Sequence, residues 1–226
     1  MKNLSSQRWL PIDIETIRNS IKINMTYAAK SNIAYNLQYL QYISKKIQED
    51  DLTIVLEKML YKSYIITAMS IIETIFYYLL DEKGLIKKDY WYTEKTYTTN
   101  ELGPDNNRTR IVNEFQVKKE KPKKQESLDR MLEKIKSKKV LGNKEFNYDI
   151  LKYYRESRNK VHLYICESSD ESDYNSFHII DYVTINVVLL KILESDSVTF
   201  KDKRNYLDII FPSAVSKFRE ELKKNK

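Results

Sequence analysis

A chain of 226 residues, with 42% hydrophobic and 31% charged residues, is long enough for one large domain and can bury a core while staying soluble. Three glycines and four prolines are too few for the tight turns of an all-β fold, and one cysteine excludes an internal disulfide framework. The net charge of +7 is local, because Val117–Lys144 holds eleven Lys and Arg against four Asp and Glu and the rest of the chain is neutral. That stripe suits a phosphate-rich partner, and suits equally well a solvated lysine-rich face.

Met1 to Leu10 does not join a basic cluster to a long apolar run, so no signal peptide is expected, and the lone Cys166 fits a reducing, cytoplasmic setting. Ile14, Ile17 and Ile21 begin a helical stripe that Ile33, Leu37, Leu40, Ile43 and Ile47 continue. The spacing predicts one long helix over 13–49, with a kink allowed near Lys30-Ser31-Asn32. A second, more apolar helix is expected over about 51–82. Its stretch from Tyr64 to Leu80 approaches the ~20 residues of a membrane span. Glu73 at its centre, with Thr67, Ser70 and Thr74, makes a buried core helix the better reading, with no membrane partner.

Gly84 is placed to cap that helix. Residues 84–126 then lose helical periodicity and read as short strands or loops. Ser127 starts an amphipathic helix to about Lys139 on Leu128, Met131, Leu132 and Ile135. A third core helix is expected over about 145–166, followed by an acidic serine-rich loop over 167–175. A fourth runs over 177–195 with Ser176 as its cap, and Asp196-Ser197 and Pro212 mark breaks before a charged helix over 213–224. The expected architecture is all-α: an up-down bundle of four to five core helices in a single domain over 1–226, with 84–143 as an irregular, basic insertion between the second and third core helices.

The chemistry gathers on the third helix. At about 100° per residue, Leu151, Tyr154, Val161 and Ile165 share the core arc, and Arg155, Arg158, Asn159 and His162 form a ladder along its edge. A histidine with an ordinary pKa of ~6.5 exchanges a proton near neutral pH, and an arginine fork matches phosphate oxygens. Asn159 offers an amide to orient the imidazole or to hold a 2′-hydroxyl. Such a set can cleave RNA without metal, His162 activating the 2′-hydroxyl and an arginine stabilising the transition-state charge. The bland reading of the same ladder is a helix edge paired to acidic neighbours.

The stretch Tyr153-Tyr154-Arg155-Glu156-Ser157-Arg158-Asn159-Lys160-Val161-His162-Leu163 resembles the motif helix of HEPN domains, in which an arginine precedes a histidine by about four to six intervening residues. Two long helices, a connection, the motif helix and one further packing helix are similar to that family's layout, and Ser70 and Glu73 on an apolar helix resemble its second helix. This chain departs from the family pattern. Arg158 and His162 are separated by three residues, whereas Arg155 and His162 are separated by six, but Arg155 is followed by Glu156 rather than Asn or Asp. Either Arg155 is the family arginine, or Arg158-Asn159 is a contracted version. The resemblance implies a metal-independent endoribonuclease without cofactor, acting on RNA as a homodimer. It also implies a toxin–antitoxin or antiviral-defence setting, with a cognate antitoxin or nucleotidyltransferase as partner. In one toxin group such a partner modifies a tyrosine two residues after the histidine, a place that Tyr164 occupies here. The alternative is a non-catalytic HEPN-like helical module that binds a protein or RNA.

Glu73 is a candidate supporting residue, reaching across to Arg155 or Arg158. Lys118, Lys119, Lys121, Lys123 and Lys124 are candidate RNA-binding residues. No residue spacing resembles a metal site: the acidic loop lacks a calcium-loop pattern, and His178 has no companion at ligand spacing.

Overall fold

The structure is a computed structural model that describes residues 9–86, 89–102, 108–120, 126–142, 147–159 and 176–211. Among these lie seven α-helices and one antiparallel pair of strands, so the chain is a helical body carrying a β-ribbon and not an all-α bundle.

The first helix, α1 (Ile14–Ser20), is capped by Asp13, whose carboxylate accepts from the Thr16 N–H. The single helix expected over 13–49 is broken here. Ile21 pairs in a β-bridge with Thr199, the Lys22 N–H donates to the Val198 carbonyl at 2.8 Å, and the Phe200 N–H donates to Ser20 at 2.9 Å. Backbone groups that a continuous helix would use internally are satisfied instead by a segment far along the chain. Thr26 restarts the helix by accepting from the Ala29 N–H, giving α2 (Tyr27–Glu49), which buries Ile33, Leu37, Leu40 and Ile43.

The central helix is α3 (Ile54–Glu82). It packs against α2, and also against three later helices: α4 (Leu128–Ser137), α5 (Tyr148–Asn159) and α6 (Ile179–Leu193). Contact on so many sides explains a composition that is apolar nearly all round. By length and composition α3 is also the one helix among the described residues able to cross a membrane, but its Tyr64, Ile65, Ile72, Phe76 and Leu80 face protein neighbours in the core. Its end matches the expectation at Gly84. That residue adopts φ +67°, its N–H donates to Asp81, and the Leu85 N–H reaches back to Leu80 at 2.8 Å.

The segment read as short strands or loops is one long ribbon, β1 (Asp89–Leu102) paired with β2 (Arg108–Glu120), with a bulge between Thr93 and Lys95. It stands clear of the core: every described side chain in it except Thr93 is exposed. The helix after it, α4, begins at Ser127 as expected and buries Leu128, Met131, Leu132 and Ile135 in the common core cluster.

Residues 160–175, with the second half of the expected third helix and the acidic loop, lie outside the described residues, as does the expected helix over 213–224. The cap of α6 is His178 rather than Ser176. The His178 N–H donates to the Asp181 carboxylate at 3.0 Å, which sets the helix start two residues later than Ser176. A short α7 (Asn205–Ile210) closes the described chain and buries Tyr206, Leu207 and Ile210.

Candidate functional site

The helix that carries the motif, α5, starts where the Asn147 side chain accepts from the Asp149 N–H at 3.1 Å. Leu151 and Tyr154 are buried, as helical arithmetic places them. The Tyr154 hydroxyl donates to the Asp181 carbonyl at 3.1 Å, which ties α5 to the first turn of α6. Burial raises the Tyr154 pKa well above the ordinary tyrosine value, and the nearby Asp181 charge adds to the rise. This phenol is therefore a structural donor and stays neutral.

Arg155 lies at the edge of that buried face. Its guanidinium pairs with Asp129 in the first turn of α4, and a second nitrogen lies 3.8 Å from Glu156. Its Nε is buried with no hydrogen-bond partner. Arg155 thus clamps α5 to α4, and its ion pairs go to Asp129 and Glu156, not to Glu73. Arg158 and Asn159 occupy the last turn of α5. His162 and Tyr164 lie outside the described residues, as do Lys121, Lys123 and Lys124. Lys118 and Lys119 are exposed on β2, and the Lys119 ammonium sits 4.3 Å from the centre of the Tyr92 ring.

Glu73 lines a cleft of about 510 Å³ between α2, α3 and the start of α4, together with Asn32, Ser70, Thr74, Tyr77 and Glu126. The hydroxyls of Ser70 and Thr74 donate to the carbonyls of Ile66 and Ser70 at 2.9 and 2.8 Å, so both turn acceptor lone pairs outward. Glu126 has its side chain almost wholly buried and pairs with Lys134 at 3.0 Å, while Lys134 also donates to the Leu85 carbonyl. Burial first, and then the charge of Asp81, raise the Tyr77 pKa. The cleft is thus lined by two carboxylates, hydroxyl acceptors and a neutral phenol, which suits a ligand with hydrogen-bond donors such as the hydroxyls of a ribose. Among the described residues no group of three or more His, Cys, Asp or Glu gathers as metal ligands would.

Set against protein-family models, curated proteins and solved structures, the chain matches none.

Sequence reasoning singled out Glu73 and Arg155 and did not single out Asp129, Glu126 or Lys134, which the structure brings beside them. Asp129 reads in sequence only as a favourable first-turn acid. Nothing local announces that it meets a residue 26 positions later. Glu126 and Lys134 likewise close a bridge across the start of α4 that no helical spacing rule selects.

Proposed function

We propose that this chain is a metal-independent endoribonuclease of HEPN type, a cytoplasmic toxin or antiphage-defence effector acting as a homodimer. The observation that carries the reading is the position of α5. The helix bearing Arg155, Arg158 and Asn159 packs against α3 and α4, and those same two helices wall the polar cleft that contains Glu73. A ribose and its 3′-phosphate need hydroxyl acceptors and a cation. The cleft offers the first, and the arginines of α5, a helix packed on the same two helices but with no described side chain lining the cleft, offer the second.

In this reading His162 removes the proton from the 2′-hydroxyl, and the resulting oxygen attacks the adjacent phosphorus. The bond from phosphorus to the 5′-oxygen of the next nucleotide breaks, leaving a 2′,3′-cyclic phosphate and a 5′-oxygen that takes up a proton to become a hydroxyl. Arg158 bears the charge that builds on the phosphate oxygens, and Asn159 orients the imidazole or the ribose. Arg155, committed to Asp129, positions the helix. DNA lacks the attacking hydroxyl and stays intact.

Incubation of RNA with the protein in chelator tests this. Cleavage that survives chelation, is abolished by His162→Ala and is unaffected by His178→Ala supports the reading, since exposed His178 uses its backbone to cap α6. Intact RNA at protein excess, with a folded protein, overturns it. The Arg155–Asp129 pair favours a second reading in that case: a non-catalytic module whose motif helix is held for structure and binds a protein or RNA.

A further inference from the structure

A two-stranded ribbon standing alone in water is marginal, because it has no third layer to cover either face. Here β1 and β2 pair along their full lengths, and no described side chain of either strand enters the core cluster. Such a ribbon needs an occupant, and its register says of what chemistry. Trp91 lies directly across from Lys118, and Phe115 directly across from Lys95. Cross-strand neighbours of this kind have Cβ atoms ~5 Å apart. Lys119 covers Tyr92, and the Tyr97 and Phe115 rings meet edge to face at 5.6 Å. The exposed rings are large and open: Trp91 is 63% accessible, Phe115 62% and Tyr97 54%.

We propose that the β1–β2 ribbon is an arm that binds single-stranded nucleic acid. Bases stack on Tyr97 and Phe115, beside Tyr92, and Lys95 and Lys119 on the same face meet the phosphates, while Trp91 and Lys118 lie on the opposite face. On this face Phe115 has Lys95 directly across the ladder, Tyr97 has it two residues away on its own strand, and Lys119 covers Tyr92, so rings and cations alternate as a chain of flat bases joined by anions requires. Charge sets the track: β2 carries four basic residues against two acidic ones, β1 one against three, and in sequence β2 leads directly into Lys121, Lys123 and Lys124. The polyanion therefore follows β2 rather than β1. A second ribbon stacked on the same rings would have to strip water from those lysines without an anion to receive them, which disfavours another copy as the occupant. The proposal rests on the RNA-acting reading above only for its choice of RNA as the physiological strand.

The test uses the full chain carrying His162→Ala, with fluorescence anisotropy of labelled oligo-uridine and oligo-deoxythymidine of about a dozen nucleotides. Both strands should bind. Tyr97→Ala and Phe115→Ala should each weaken binding about tenfold. Lys95→Gln with Lys119→Gln should flatten the log–log salt slope by about 1.4, since each single-strand phosphate contact contributes ~0.7. Helical circular dichroism should not change in any variant, because none of these side chains is in the core. No binding by the parent, or variants that bind within about twofold of it, overturns the proposal. So does loss of binding only in step with loss of a dimer in sedimentation, which would make the ribbon a contact between copies. Parallel cleavage assays in the His162-intact background separate the two ideas. Cut RNA with ribbon variants of normal affinity refutes the arm alone, and weakened binding with uncut RNA refutes the nuclease alone.

Discussion

Replacing Asp129 with asparagine removes the charge that holds Arg155 and leaves the shape of the site nearly unchanged. The side chains of Arg155 and Asp129 are 30% and 38% exposed, between a solvated surface pair and a buried one. Solvent screens such a pair, so its loss should cost about 1 kcal/mol, above the median for surface pairs because Arg155 Nε is already buried without a partner. With a urea dependence of ~3 kcal/mol per molar, the unfolding midpoint should fall by about 0.3 M. Arg155→Met and the double variant complete a cycle, in which a coupling energy of about 0.5–1 kcal/mol is expected. Urea titration followed by helical circular dichroism measures all four proteins. A coupling below ~0.3 kcal/mol would refute the idea that this pair clamps α5 to α4. If the clamp is structural, Asp129→Asn should slow RNA cleavage far less than His162→Ala does.

Phe76, fully buried in the C-terminal part of α3, should cost about 3–5 kcal/mol on replacement by alanine, read as a lowered unfolding midpoint; a loss under ~1 kcal/mol would mean that the core is drawn wrongly. Burial holds the Tyr64, Tyr154, Tyr182 and Tyr206 hydroxyls neutral above the ordinary pKa of 10.0. The unfolded chain therefore ionises first, so the stability these groups contribute is complete below pH 10.0 and is lost as pH rises toward their folded values. Thermal melts that stay level between about pH 8 and 11 would contradict this. Gly84→Ala should destabilise by about 1 kcal/mol through the positive φ alone, because an added Cβ there meets no atom within 4 Å. Calorimetry showing a more stable protein would count against the capping geometry.

The helical body was largely legible because its stripes face a common core. The 51–82 segment became α3, Gly84 ended it, and Ser127 began α4 on the residues expected. The break before α2 was not, since Ile21 keeps the helical spacing of its stripe while its backbone pairs with Thr199. Nor was the ribbon, for a physical reason. Strand recognition relies on one buried face, and residues such as Thr96, Tyr97, Thr98 and Thr99 alternate between two exposed faces without a contrast in polarity. In the site, the sequence offered the ladder on α5 and the acid on α3. That Arg155 belongs to Asp129 follows from how α4 docks, and docking has no local signature.

The bridge between Ile21 and Thr199 has a consequence for synthesis. Lys22 and Asp196, hydrogen-bonded beside it, are 174 positions apart, so this clasp cannot close until nearly all the described chain has left the ribosome. Until then Ile17, Ile21 and Ile23, which sit in the common core cluster, have no cover from the 198–200 segment. The nascent amino-terminal end is therefore a sticky surface for most of translation, the stage at which a chaperone would engage it and at which slow elongation would do most harm.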